Sequence, residues 1–144
     1  MIAIASDHAG YELKIPLIEH LSNQGLEIQD LGCGGEPVDY PDYAEKLCRA
    51  VAAGEYEQGI LVCGTGIGMS IAANKMPGIR AALCADCYSA AMSREHNDAN
   101  VLCLGARTTG SGLAMSITDT FLATGFSGAE SHSRRIALIK KLEK

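Results

Sequence analysis

No apolar stretch of this 144-residue sequence is longer than a strand, so nothing in it is long enough to cross a bilayer as a helix. A basic N-terminal region is missing as well. Met1 runs directly into Ile2-Ala3-Ile4-Ala5, which reads as a first strand rather than a secretion signal, and the expected location is the cytoplasm. Positive charge is in short supply: 12 Lys and Arg stand against 17 Asp and Glu, for a formal net charge of −5. An acidic surface offers little to a phosphate backbone or an anionic lipid face, so neither nucleic acid nor membrane is an expected partner. The one local concentration of basic residues is Arg134, Arg135, Lys140 and Lys141. Low-complexity tracts, internal repeats and linkers are also lacking. Residues 1–144 are therefore expected to form a single domain.

What the chain does have is enough apolar material for a core. Hydrophobic residues make up 47% and charged residues 20%, and a domain of this size buries about 70% of its unfolded surface. No metal or disulfide staple is needed. The six cysteines, Cys33, Cys48, Cys63, Cys84, Cys87 and Cys103, accordingly read as reduced thiols, most of them small core hydrophobes.

The pattern alternates between strand and helix. Strands are predicted at 2–6, 26–31, 59–63, 79–84 and 101–105, and helices at 11–24, 41–53, 67–75, 87–96, 111–123 and 130–142. Such βα repetition implies an α/β fold with a mostly parallel sheet, helices on both faces and right-handed crossovers. Ligands of such sheets gather outside the carboxyl ends of the strands.

The run Gly59-Ile60-Leu61-Val62-Cys63-Gly64-Thr65-Gly66-Ile67-Gly68 places Cys63 at a strand-to-helix corner followed by a glycine-rich turn. Backbone N–H groups of the turn and the positive helix end favour negative charge there, on a thiolate, an enediolate or a bound anion. Two other strand ends are polar: Asp7-His8-Ala9-Gly10 and Gly105-Ala106-Arg107. Each residue has an ordinary reading alone: Asp7 as a helix cap, His8 as a loop histidine, Arg107 as a surface charge, Cys63 as packing. Their convergence on one sheet edge favours a site.

His96-Asn97-Asp98-Ala99-Asn100 precedes the fifth strand, at the amino edge of the sheet, about one strand length, or roughly 15–20 Å, from Cys63. Either these residues merely end a helix, or they serve a site shared across a two-fold interface.

Asp7-His8-Ala9-Gly10, Asp39-Tyr40-Pro41-Asp42-Tyr43-Ala44, the Cys63–Gly68 turn with Ile71-Ala72-Ala73-Asn74-Lys75, Gly78-Ile79-Arg80-Ala81, and His96-Asn97 with Ala99-Asn100-Val101-Leu102 resemble the ribose-5-phosphate isomerase B family. Galactose- and allose-phosphate isomerases belong to the same group. The resemblance runs nearly end to end. It implies a Rossmann-like three-layer α/β/α sandwich with a five-stranded parallel sheet, and a cofactor-independent aldose–ketose isomerase with no metal. The reaction implied is interconversion of ribose 5-phosphate and ribulose 5-phosphate, in the non-oxidative pentose phosphate pathway. Allose 6-phosphate or galactose 6-phosphate is the alternative substrate.

By the same resemblance Cys63 is the base that moves a proton between C1 and C2, and Thr65 assists transfer between the oxygens. The backbone of Gly64, Gly66 and Gly68 cradles the enediolate. His96 with Asp7 opens the furanose ring, and Asn97 holds the developing oxyanion. His8, Arg107 and the C-terminal residues His132, Arg134 and Arg135 bind phosphate, with Tyr40 near the sugar. The implied assembly is a homodimer with shared sites, or a tetramer built from it, with the helix at 130–142 contributing to both dimer and phosphate site.

One branch of the family replaces the cysteine by a glutamate just after the glycine loop. Here that position is Met69, which accepts no proton, so the chain falls in the cysteine branch. The departure is at the C-terminus, where relatives carry Gly-Gly-Arg-His and a second arginine. Gly128-Ala129-Glu130-Ser131-His132-Ser133-Arg134-Arg135 puts Ser131 in place of the first arginine if Arg135 matches the second, and a hydroxyl does not replace a guanidinium on phosphate. Two rival readings are a dinucleotide-binding module, from Gly64-x-Gly66 with Asp86, and a thiol redox module, from Cys84-Ala85-Asp86-Cys87. The first has its third glycine at the wrong spacing, and the second is an isolated motif.

Overall fold

The computed structural model describes residues 1–143. Along the chain β1 (Ile2–Ser6), α1 (Tyr11–Asn23), β2 (Ile28–Asp30), α2 (Tyr40–Ala52), β3 (Gln58–Cys63), α3 (Ile67–Ala73), β4 (Ala81–Leu83), α4 (Cys87–Glu95), β5 (Val101–Gly105), α5 (Ser111–Ala123) and α6 (Glu130–Lys140) follow one another. The five strands form one parallel sheet in the order β2-β1-β3-β5-β4, the α/β architecture expected from the alternation. No helix is long and apolar enough to cross a membrane.

Period-two alternation explains the layers. Ile2, Ile4, Ile60, Val62, Leu102 and Leu104 face one side of the sheet, against Leu13, Leu17 and Leu21 of α1 and Ala114, Ile117 and Phe121 of α5, with Ala90 of α4. Ala3, Ala5, Leu61, Cys63, Val101 and Cys103 face the other, against Ala44, Leu47, Cys48 and Val51 of α2 and Met69 and Ala73 of α3. Each fully buried Leu or Ile contributes roughly 1.5–3 kcal/mol. Helices on both sides thus bury the three central strands, which is why those strands read as unbroken apolar runs.

The edge strands are shorter than their sequence pattern. β2 spans Ile28–Asp30 and β4 Ala81–Leu83, because each pairs on one side only and few ladder bonds hold its ends. Before β4, the Arg80 N–H donates to the Asn100 side-chain oxygen at 2.9 Å. α3 stops at Ala73 and α6 at Lys140, each about a half-turn before the end of its pattern. α6 buries none of its own residues.

The topology positions a crevice. From β1 the chain crosses by α1 to β2 at one side, and from β3 it crosses by α3, on the opposite face, toward β4 and β5. The carboxyl ends of β1 and β3 therefore part at a switch point, where ligands of such sheets bind.

Candidate active site

Cys63 ends β3, 5% exposed. Three residues later Gly66 takes φ of +78°, the left-handed region that glycine enters without a Cβ penalty. This turns the chain back so that the Gly66 N–H donates to Cys63 Sγ at 3.2 Å, a contact that strengthens as the sulfur gains negative charge. Thr65 Oγ1 accepts from the Ile67 N–H at 3.3 Å and remains exposed to the crevice. Gly68 has its own reason: a Cβ there would lie 2.5 Å from Cζ of Tyr40. The glycine lets the phenol approach the turn closely.

Register brings the other strand ends to the sulfur. Ser6 pairs with Val62 and Cys63 with Gly105, so Asp7, Cys63 and Arg107 gather at the carboxyl ends of three adjacent strands. Arg107 is tied back by its own N–H, which donates to the Gly64 carbonyl at 2.9 Å. Asp7 is 6% exposed, and its Oδ1 accepts the Gly10 N–H at 3.0 Å. It thus braces the turn into α1, whose N-cap is Gly10 rather than Asp7, while facing the same cavity. That cavity is about 490 Å³, with Asp7, His8, Tyr40, Cys63, Thr65 and Arg107 in its wall. His8 Nδ1 accepts the Val38 N–H at 3.3 Å, anchoring the segment that leads into Tyr40.

The remaining predicted residues stand elsewhere. His96 closes α4, its ring centroid 4.3 Å from that of His132 on α6, and His132 Nδ1 is 2.9 Å from Ser127 Oγ. Asn97 borders a separate cavity of about 610 Å³ with Arg80, Ile139 and Leu142. Arg134 and Arg135 are exposed on α6 and Ser131 is half-buried. Within the chain the candidates therefore form two groups, one around Cys63 and one around His96 and Asn97.

Burial pushes Cys48 up to about 12, Cys84 up to about 11, and Cys103 well above its ordinary value, which leaves them without thiolate at neutral pH. For Cys84 this weighs against the redox reading of the Cys84-Ala85-Asp86-Cys87 motif. The dinucleotide reading loses its acid: Asp86 caps α4, accepting from Ser89 N at 2.7 Å and Ser89 Oγ at 2.9 Å. Those bonds hold its carboxyl below the usual range. Among the described residues no group of three or more His, Cys, Asp or Glu is placed to hold a metal ion.

One residue was missed from sequence. Lys14 is fully buried, donating from Nζ to Asp30 Oδ1 at 2.9 Å and to the Cys33 carbonyl. It pins the loop between β2 and Tyr40. The available signal was a lysine sharing the buried stripe of Leu13, Leu17 and Leu21.

The Ribose/Galactose Isomerase family profile matches residues 2–139. A protein of Escherichia coli strain K12 named ribose-5-phosphate isomerase B is 47% identical over 143 residues, 99% of this chain and 95% of that protein. The solved ribose-5-phosphate isomerase B of Clostridium thermocellum superposes with a TM-score of 0.95 at 51% identity, covering 98% of this chain and 95% of that one. The type B ribose 5-phosphate isomerase of Trypanosoma brucei superposes with a TM-score of 0.93 at 51% identity, covering 99% and 97%.

Proposed function

The chain belongs to the ribose/galactose isomerase family, and from that premise we propose that it is an aldose–ketose isomerase interconverting ribose 5-phosphate and ribulose 5-phosphate through an enediolate. The observation that carries the mechanism is the placement of Cys63. It lines a cavity, receives a backbone N–H on its sulfur, and stands two residues before the exposed Thr65.

In this reading Cys63 removes the C2 proton of the opened aldose and returns it to C1. Thr65 passes a proton between the two oxygens, and the N–H groups of the Gly64–Gly68 turn face the negative charge that develops. His8 and Arg107 hold the phosphate, and Tyr40 packs along the sugar. Only protons move, so the side chains and the turn suffice without a cofactor.

Ring opening by His96 with Asp7, and oxyanion binding by Asn97, require a second copy of the chain. His96 and Asn97 lie at the far edge of their own sheet, so a two-fold partner would bring them to the Cys63 cavity. Exposed apolar side chains support such a contact: Ile67 and Ile71 on α3 are 51% and 58% exposed, and Leu138 and Leu142 at the C-terminus 53% and 77%. The partner's α6 would then contribute His132, Arg134 and Arg135 to the phosphate; a tetramer would be a pair of these dimers. All six cysteines are unpaired, as suits a reducing cytoplasm.

The test is kcat/KM on ribose 5-phosphate, allose 6-phosphate and galactose 6-phosphate, since specificity is a ratio of these constants. Preference for ribose 5-phosphate is expected. Faster turnover of a six-carbon sugar would replace the substrate while leaving the reaction class in place.

A further inference from the structure

Arg80, from the stretch Gly78-Ile79-Arg80-Ala81, has no part in the reaction just outlined. It stands immediately before β4, with its side chain 25% exposed. From there it reaches the segment joining α4 to β5. Its Nε donates to the carbonyl of Asn97 at 2.9 Å and its Nη2 to the carbonyl of Asp98 at 2.9 Å. The backbone closes the same junction: Arg80 N–H donates to Asn100 Oδ1 at 2.9 Å, and Asn100 N–H to the Arg80 carbonyl at 3.0 Å.

The segment it grips is unusual. Asp98 has φ of +45°, the one positive value at a non-glycine among the described residues. A residue held there persists only where its surroundings over-determine it, and such residues cluster at functional sites. Here two guanidinium groups do so, since Arg94 Nη1 donates to Asp98 Oδ1 at 2.9 Å while its own body lies over the Phe121 ring. The left-handed turn at Asp98 turns two successive carbonyls toward Arg80, and a planar fork satisfies both at once. An ammonium cannot match that geometry.

The two residues immediately before the turn are His96 and Asn97. His96 is held on its other side by the C-terminal segment, through the His132 ring and through Ser127, whose N–H donates to the Glu95 carbonyl at 3.0 Å. We propose that Arg80 is a positioning residue for the catalytic pair His96 and Asn97, fixing their backbone through the Asn97 and Asp98 carbonyls so that both side chains meet the sugar in one geometry. This rests on the roles given to that pair above. It predicts an effect on turnover, because the guanidinium is spent on the Asn97 and Asp98 carbonyls.

The experiment compares Arg80→Lys, Arg80→Ala, His96→Ala and Asn97→Ala on ribose 5-phosphate, with thermal unfolding of each. Misplacing a catalytic group by about an ångström costs on the order of a hundredfold. Arg80→Lys should therefore stay folded, lose roughly ten- to a hundredfold in kcat and keep KM within about threefold. Added methylguanidine should restore part of the kcat of Arg80→Ala and none of that of His96→Ala. Wild-type kcat in Arg80→Lys, a change confined to KM, or a folded Arg80→Ala unresponsive to methylguanidine overturns the proposal. Loss of fold in both Arg80 variants also overturns it, by making the arginine a folding residue. Full kcat in both His96→Ala and Asn97→Ala removes the roles that Arg80 would serve and defeats the underlying reading; impairment there with an unaffected Arg80→Lys defeats this inference alone.

Discussion

Cys63 and Gly105 are ladder partners across β3 and β5, and the Ala106 N–H donates to the Cys63 carbonyl at 2.8 Å. The backbone of the sulfur-bearing residue is thereby locked to the strand end that delivers Arg107. A side chain so held is positioned before substrate arrives, which is what the proposed role of Cys63 as base requires.

Cys63→Ala should abolish isomerisation while leaving binding of sugar phosphate nearly intact. Loss of a general base typically lowers kcat by about 10²–10⁴-fold. Steady-state kinetics together with calorimetric binding would decide it. Retention of more than about a tenth of kcat is too small a loss for an essential base. Deuterium at C2 should also slow turnover wherever proton transfer limits the rate.

Mixing Cys63→Ala and His96→Ala chains, refolded together, should restore activity that neither has alone. Random pairing at equal input makes about half the dimers mixed, each with one intact site, so about a quarter of all sites should turn over if they are independent. Inactive mixed dimers, shown by mass spectrometry to contain both chains, would mean that Cys63 and His96 act within one protomer or that the two sites are coupled. A fully active monomer would place both residues in one protomer's site.

Arg135→Ala should raise KM for ribose 5-phosphate about ten- to a hundredfold, by loss of a charge-assisted contact of roughly 1.5–3 kcal/mol. Ser131→Arg should tighten the same substrate. If the absent arginine leaves room for a longer sugar, Ser131→Arg will also penalise allose 6-phosphate and shift the ratio of kcat/KM values. Equal effects on both sugars would reject size selection, and an unchanged KM in Arg135→Ala would transfer the role to Arg134.

Alkaline pH should destabilise the fold through its buried thiols. Cys48 and Cys84 are pushed by burial from 9.0 up to about 12 and about 11, so the folded chain keeps protons that the unfolded chain releases. Their contribution is complete below the unfolded value and is lost as pH climbs through about 9 to 12. The urea midpoint should fall across that window, and Cys48→Ala should flatten the slope. An identical slope in that variant would mean other groups govern it.

The central strands were readable because β1, β3 and β5 are buried on both faces and so are apolar without interruption. The ends of β2 and β4 were not, since each of these strands pairs with a neighbour on one side only. The glycine turn at Cys63 was readable by composition. Lys14 was not, because its partners are an aspartate sixteen residues away and a carbonyl nineteen away, and residue type alone places a lysine in solvent. The grip of Arg80 on Asn97 and Asp98 was equally hidden: its acceptors are main-chain oxygens, which every residue possesses. The stacking of His96 on His132 joins elements separated by the whole of β5 and α5.

α6 buries none of its residues and is moored to the body chiefly at its ends, by the His132–His96 contact and by the Gly78 N–H bonded to Glu143 Oε1 at 2.9 Å. A helix with so little buried apolar surface opens locally at a free energy well below that of global unfolding. Its amide hydrogens should therefore exchange with deuterated solvent long before those of β3. If the proposed dimer forms, the partner's surface supplies the missing burial and that exchange slows as protein concentration rises, making α6 a reporter of association written into the chain itself.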